Sequence, residues 1–219
     1  MPSSLPSGER PFLLIVAGPN GSGKSTLTNY LRRQGYDFGF YINPDEIAAE
    51  LEGPYNDRVR RAQALADNRR AEALLARRSF SFETVFSHPS KLDVLVQARQ
   101  LGFLTTLFFV SVDDPRINVE RVKTRVGLGG HDVPLDRIVA RYRRTMAVLP
   151  DIVAHVDRAF ILDNSELLPA PDSFRIRLVA TTRAVEPNQI TISLRPPVPV
   201  WTSRYLVEPA HRRGWVVSA

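Results

Sequence analysis

The stretch Gly18-Pro-Asn-Gly-Ser-Gly-Lys-Ser-Thr26 decides the reading of this chain. Gly18, Gly23, Lys24 and Ser25 fill the phosphate-loop pattern G-x-x-x-x-G-K-[ST] without a gap. The apolar run Phe12 to Ala17 leads in as a strand, and Ser25 to Gln34 leads out as a helix. That context gives the pattern a physical meaning. Glycines let the backbone wrap an anion so that successive N–H groups point inward, and the helix N-terminus adds the positive end of its dipole. Gly18, Asn20, Gly21, Ser22, Gly23, Lys24, Ser25 and Thr26 are therefore the predicted nucleotide-binding residues. Lys24 is expected to reach the β- and γ-phosphates and Ser25 to ligate Mg²⁺.

Outward from the loop, strands and helices alternate, which predicts an α/β fold: a parallel sheet with helices on both faces. Strand one, Phe12 to Ala17, is continuously apolar, as a strand buried on both sides must be. Strands follow at Phe38 to Ile42, Phe80 to Phe86, Thr105 to Val112 and Ala159 to Leu162. Between them, helices are expected over Asp45 to Leu51, Asp57 to Arg77, from near Pro89 to Gly102, from Pro115 to Val126 with Asp114 as cap, and over Leu135 to Val148. Residues 1–10 read as a flexible lead-in, 11–166 as the nucleotide-binding core with a lid at about 116–145, and 167–219 as a β-rich extension. The extension is punctuated by seven prolines, with β-like runs at Ile176 to Thr182 and Ile190 to Leu194; its proline content also fits a segment without fixed structure.

Composition bounds the class. A chain of 219 residues that is 43% hydrophobic builds one good core. It has no cysteine, so disulfides and thiolate metal sites are excluded. No apolar run is long enough to span a membrane and no signal-peptide core opens the chain, so a cytoplasmic location is expected. The net charge is +6, carried by 26 Arg and only three Lys. Arginine suits phosphate recognition, so the excess fits a nucleotide site as well as nucleic acid.

Ligands of an open parallel sheet sit beyond the carboxyl ends of its strands. Asn43-Pro44-Asp45-Glu46, Glu83-Thr84, Asp113-Asp114 and Asp163-Asn164-Ser165 all fall there. Asp45 is the candidate general base, able to take the proton of an acceptor hydroxyl; its other reading is a helix cap. Glu83, in an otherwise apolar strand, needs a partner: Mg²⁺, a substrate hydroxyl or one of the arginines. Arg121 and Arg125 share one helical face, as do Arg137, Arg141 and Arg144. The glycine-rich segment between, containing His131, suits a lid that folds arginines onto a triphosphate, although a charge stripe is also what a solvated face looks like. Neither His131 nor His88 forms part of a metal motif.

Taken together, Ala17 to Thr26, Asn43-Pro-Asp-Glu-Ile-Ala48, Phe82-Glu-Thr-Val-Phe-Ser87, Gly129-Gly-His-Asp-Val-Pro134 with Arg141-Tyr-Arg143, and Asp163-Asn-Ser165 make the chain resemble the zeta toxin family of phosphate-loop kinases over about Phe12 to Ser165. The resemblance implies a core like that of adenylate and shikimate kinases and ATP, or GTP, as phosphate donor with Mg²⁺. It assigns Lys24 and Ser25 to the phosphates and metal, Asp45 to the base, Glu83 and Thr84 to the acceptor site, and an arginine of the Arg121/Arg125 pair with one near Arg141 to the lid. It further implies a nucleotide sugar, UDP-N-acetylglucosamine, as acceptor and a small antitoxin as partner. The β-rich tail departs from the family's pattern. Two other functions stay open at this point: a kinase of polynucleotide or dinucleotide hydroxyls, and a nucleotide-binding ATPase or switch acting through protein partners.

Overall fold

A computed structural model describes residues 10–86, 90–127, 135–166, 176–186 and 189–219. Its frame is one eight-stranded sheet in the order β2-β3-β1-β4-β5-β6-β7-β8. The first five strands are β1 (Phe12–Ala17), β2 (Phe40–Ile42), β3 (Phe80–Thr84), β4 (Leu104–Ser111) and β5 (Arg158–Asp163), all parallel. β1 lies between β3 and β4, so the chain leaves it first to one side and then to the other. That reversal opens the crevice in which doubly wound sheets bind ligands.

Burial explains why β1 is apolar at every position. Leu13, Ile15 and Ala17 enter a core on one face, with Phe80, Phe82, Leu107, Phe109 and Ile161. Leu14 and Val16 enter a smaller core on the other, with Phe108, Val110 and Leu162. The larger core is covered by α2 (Pro44–Glu50), α3 (Tyr55–Leu75), α4 (Ser90–Gln100) and α6 (Leu135–Ala154). Leu27 and Leu31 of α1 (Lys24–Arg33) cover the smaller one. α5 (Pro115–Gly127) packs on α6 through Val119, Val122 and Ile138.

Several expected boundaries move. The second strand begins at Phe40 rather than Phe38, because Gly39 at φ +55° bends the chain there. The third strand stops at Thr84, and Phe86 lies at φ +53°. The helix expected to end at Val148 runs through Pro150 to Ala154, keeping Leu149, Ile152 and Val153 buried.

The largest difference lies in the C-terminal segment. Its strands β6 (Arg177–Glu186) and β7 (Gln189–Leu194) extend the central sheet antiparallel from β5, and β8 (Val216–Ser218) closes it parallel to β7. Between β7 and β8 the chain is helical rather than extended: α7 (Val200–Thr202), a π-helical turn Ser203–Val207, then α8 (Glu208–Arg212). Trp201, Leu206 and Ala210 of that stretch are buried in the larger core, so prolines there punctuate helices that pack. His88 and His131 lie outside the described residues, as does the glycine-rich segment 128–134.

Candidate active site

The phosphate loop is held by close backbone approach. A Cβ on Gly18 would lie 2.0 Å from the Val110 carbonyl oxygen of β4, and one on Gly21 would lie 2.7 Å from the Asn118 carbonyl oxygen of α5. Gly23, the left-handed residue that precedes α1, faces the Asn164 side chain, with Nδ2 2.5 Å from where a Cβ would stand. Two amide side chains also hold carbonyls of the loop. Asn118 Nδ2 donates to the Asn20 oxygen at 2.5 Å and Asn164 Nδ2 to the Ser22 oxygen at 2.9 Å. Lys24 Nζ donates to the carbonyls of Gly18 at 3.1 Å and Pro19 at 3.0 Å, at the same loop. Asn20 Oδ1, Ser22 Oγ, Asn118 Oδ1 and Arg121 Nη1 are buried polar atoms without a hydrogen-bond partner among the described residues. They belong to the loop and to α5, the helix that Gly21 approaches.

Glu83 is the hub of the neighbouring site. β3 pairs beside β1 with Val16 opposite Glu83, which brings the carboxylate to the start of α1. Oε2 accepts from Ser25 Oγ at 3.0 Å; Oε1 accepts from Thr28 Oγ1 at 2.6 Å and from Tyr41 OH at 3.0 Å. Of the partners that the sequence offered Glu83, an arginine is thus replaced by three hydroxyls. Burial, then the charge of Glu83 and the hydrogen bond to it, push the Tyr41 phenol well above its ordinary range, so it stays a donor. Tyr41 OH in turn accepts from Asn43 Nδ2 at 3.1 Å.

Asn43 caps α2, its Oδ1 accepting from the Asp45 backbone N–H at 3.0 Å. This corrects the capping alternative for Asp45: Asn43 performs that role, and the exposed Asp45 carboxylate sits in the first turn. Thr84 turns its hydroxyl to the backbone, accepting from the Phe86 N–H at 3.2 Å, while its carbonyl accepts from the Gly18 N–H at 3.3 Å. Thr26 is exposed.

The arginines divide. Arg121 is half-buried on α5 and donates Nη2 to the Glu166 carbonyl at 3.5 Å. Burial draws its guanidinium below the usual value, partly offset by Asp163. Arg137 and Arg144 are exposed and Arg141 is half-buried. α6 itself is fixed beside the crevice: Tyr142 OH donates to the Val112 carbonyl at 2.8 Å and Thr145 Oγ1 to the Val85 carbonyl at 2.7 Å. The Arg125 side chain lies outside the described residues. Other arginines are spent on structure, as in the Arg213–Asp151 pair at 2.6 Å and the Arg70–Asp67 pair, with Arg70 buried.

Sequence reasoning missed Thr28, Tyr41, Asn118 and Trp201. Thr28 was within reach, since Ser25 and Thr28 at i, i+3 share a helical face. The others are brought in by tertiary packing and carry no local signal. Among the described residues, no cluster of three or more His, Asp or Glu forms a metal site. Ser25 and Glu83 still fit Mg²⁺, which keeps several waters and takes only one or two protein oxygens in such sites.

A parallel sheet with a phosphate loop at its switch point, a hydroxyl-bound acidic residue on the adjacent strand and a helical pair beside the crevice define a phosphate-loop kinase, a phosphotransferase. The family model described as Zeta toxin matches residues 2–167, and the chain belongs to that family. An uncharacterised protein of Haemophilus influenzae is 30% identical over 134 residues, covering 59% of this chain and 91% of the relative. Among solved structures, the AvrRxo1-ORF1:AvrRxo1-ORF2 complex with sulphate ions matches with a TM-score of 0.60 at 16% identity, over 80% of this chain and 59% of the other. The PezAT chromosomal toxin-antitoxin system of Streptococcus pneumoniae matches with a TM-score of 0.52 at 14% identity, over 73% of this chain and 70% of the other. This chain thus spans less than two thirds of the AvrRxo1 chain that it matches. Among the described residues, no helix is long and apolar enough to cross a membrane.

Proposed function

We propose that the protein transfers the γ-phosphate of ATP to a hydroxyl of a small nucleotide sugar, with UDP-N-acetylglucosamine as the leading acceptor, and that a small antitoxin protein restrains it. The observation that carries this reading is the Ser25–Glu83 hydrogen bond, which joins the phosphate loop to the strand beside the β2–α2 unit bearing Asp45. Membership of the zeta toxin family supports this choice of acceptor, and the toxin-antitoxin system among the similar structures supports the partner.

In this reading the loop N–H groups and the N-terminus of α1 hold the β- and γ-phosphates, and Lys24 exchanges its two carbonyl partners for phosphate oxygens. Ser25 and Glu83 would hold Mg²⁺, which would supply charge neutralisation for the phosphates. Asp45 accepts the proton of the acceptor hydroxyl, whose oxygen forms a bond to the γ-phosphorus. The bond from that phosphorus to the β–γ bridging oxygen breaks, and ADP leaves with the electron pair. Arg121, Arg125 and Arg141 stabilise the charge that spreads over the transferring group.

The test incubates the protein with Mg²⁺-ATP and a panel of nucleotide sugars, dinucleotides and short RNA ends, beside Asp45→Asn, and reads products by mass spectrometry. The expected result is a phosphate on UDP-N-acetylglucosamine. In the variant its rate falls by roughly 10² to 10⁴ while ATP affinity is retained. ATP hydrolysis without a phosphorylated acceptor, equal in both proteins, would overturn the reading.

A further inference from the structure

Beyond the ends of β4 and β5 four residues close a ring of hydrogen bonds. The Trp201 indole Nε1–H donates to Asp163 Oδ1 at 2.8 Å, and Ser165 Oγ donates to the same oxygen at 2.6 Å. Ser165 Oγ accepts from the Asp113 N–H at 2.8 Å, and Asp113 Oδ1 accepts from the Trp201 N–H at 3.1 Å. Trp201 is 2% exposed and Asp163 8%, so each donor on that carboxylate replaces water it has lost. The indole also packs on Phe109 of β4, ring centroids 6.2 Å apart.

Asn164 stands between two members of this ring. Its backbone N–H donates to the Ser111 carbonyl at 2.8 Å and its side chain holds the Ser22 carbonyl of the phosphate loop. Its neighbours Asp163 and Ser165 are both members of the ring, and its own backbone is tied to β4 as well. Trp201 lies outside residues 2–167, the part of the chain that the family model matches.

We propose that Trp201 is a positioning residue for the phosphate loop. The C-terminal helical segment, through Trp201, Asp163 and Asn164, fixes the loop in its phosphate-binding shape. The consequence for catalysis rests on the reading of that loop as the ATP site. A segment outside the family-matched part of the chain thereby becomes part of the donor site's support, and a ligand that displaced α7 would loosen the loop.

The experiment measures hydrogen exchange of the loop amides over residues 18–24 and ATP affinity by calorimetry in the full-length protein, Trp201→Phe, Asn164→Ala and the double variant. Trp201→Phe keeps an apolar ring and removes the indole donor. Loop protection is expected to fall about tenfold, and the Kd and KM for ATP to rise about tenfold, with the acceptor KM unchanged. Asn164→Ala, altering a half-buried side chain, is expected to reproduce this, and the double variant to be no worse than either single one. Should Trp201→Phe not fold, Ser165→Ala, which opens the same ring without removing a contact to the loop, carries the test. Loop protection equal to wild type in the variants, or effects that multiply in the double variant, would overturn the proposal. Failure of the wild-type protein to bind ATP, with loop protection still lost in the variants, would sink the nucleotide reading and leave the positioning role standing.

Discussion

The two sides of the crevice are built by different means. At the phosphate loop the constraint is on the backbone: glycines pressed against β4 and α5, and two asparagine amides on its carbonyls. On the proposed acceptor side the arrangement rests on side chains: three hydroxyls converge on Glu83, and the Asp45 side chain is exposed. Backbone fixation gives a rigid site for a ligand part that never varies, the polyphosphate. A side-chain network leaves room for an acceptor of any shape to be accommodated by substitution. In the proposed reading, substrate identity would be set on the β2–α2–β3 side.

The sharpest way to break the comparison is Gly18→Ala. A methyl 2.0 Å from a β4 carbonyl oxygen cannot be absorbed by a side-chain rotation, so the loop or the strand must move. Overpacking of this kind costs about 1–3 kcal/mol. The expected outcome is a fall in Tm together with loss of ATP affinity by at least about a hundredfold, read by calorimetry. An unchanged ATP Kd would show that the loop is not held by that approach. Glu83→Gln tests the other side with a smaller effect. The amide supplies one acceptor oxygen for three hydroxyl donors, and its NH₂ faces groups that need acceptors. kcat is expected to drop by about 10² and the Mg²⁺ concentration for half-maximal rate to rise, with ATP-independent folding retained. A variant with the wild-type Mg²⁺ dependence would remove Glu83 from the metal and leave it a purely structural hub.

The same contrast governs what the sequence could tell. The donor loop is local: nine consecutive residues and their flanking strand and helix contain it, and the parallel core around it follows from continuous apolar strands. Glu83 stood out because a carboxylate in an apolar strand demands a partner, yet which partner depended on β3 lying beside both β1 and β2. Asn118 approaches from residues about a hundred positions away, and Trp201 sits in a proline-marked stretch whose extended appearance concealed packed helices. Pro150 likewise falls within a helix that tertiary burial of Leu149, Ile152 and Val153 keeps intact. Misses of this kind share one cause: the residue's role is set by what it meets in space, and a side chain's local pattern is silent on that.

Tyr41→Phe probes the weakest link on the acceptor side. The phenol donates to Glu83 and accepts from Asn43, so its loss leaves Glu83 with two donors and the Asn43 amide without its oxygen. Net hydrogen-bond worth of about 0.5–1.5 kcal/mol converts to a rate loss of about two- to tenfold. The pH profile distinguishes this from a proton-transfer role. Burial and Glu83 hold the phenol's pKa above its ordinary value of 10.0, so its neutral form is the one the fold favours. That stabilisation is fully present below the unfolded value and is lost only as pH rises through the higher folded one. Wild type and Tyr41→Phe are therefore expected to give kcat profiles of the same shape between about pH 6 and pH 9, displaced by a constant factor. A basic limb present in wild type and absent from the variant would make Tyr41 a titrating participant. Tyr41 would then stand with Asp45, the proposed base, as a candidate proton-handling group.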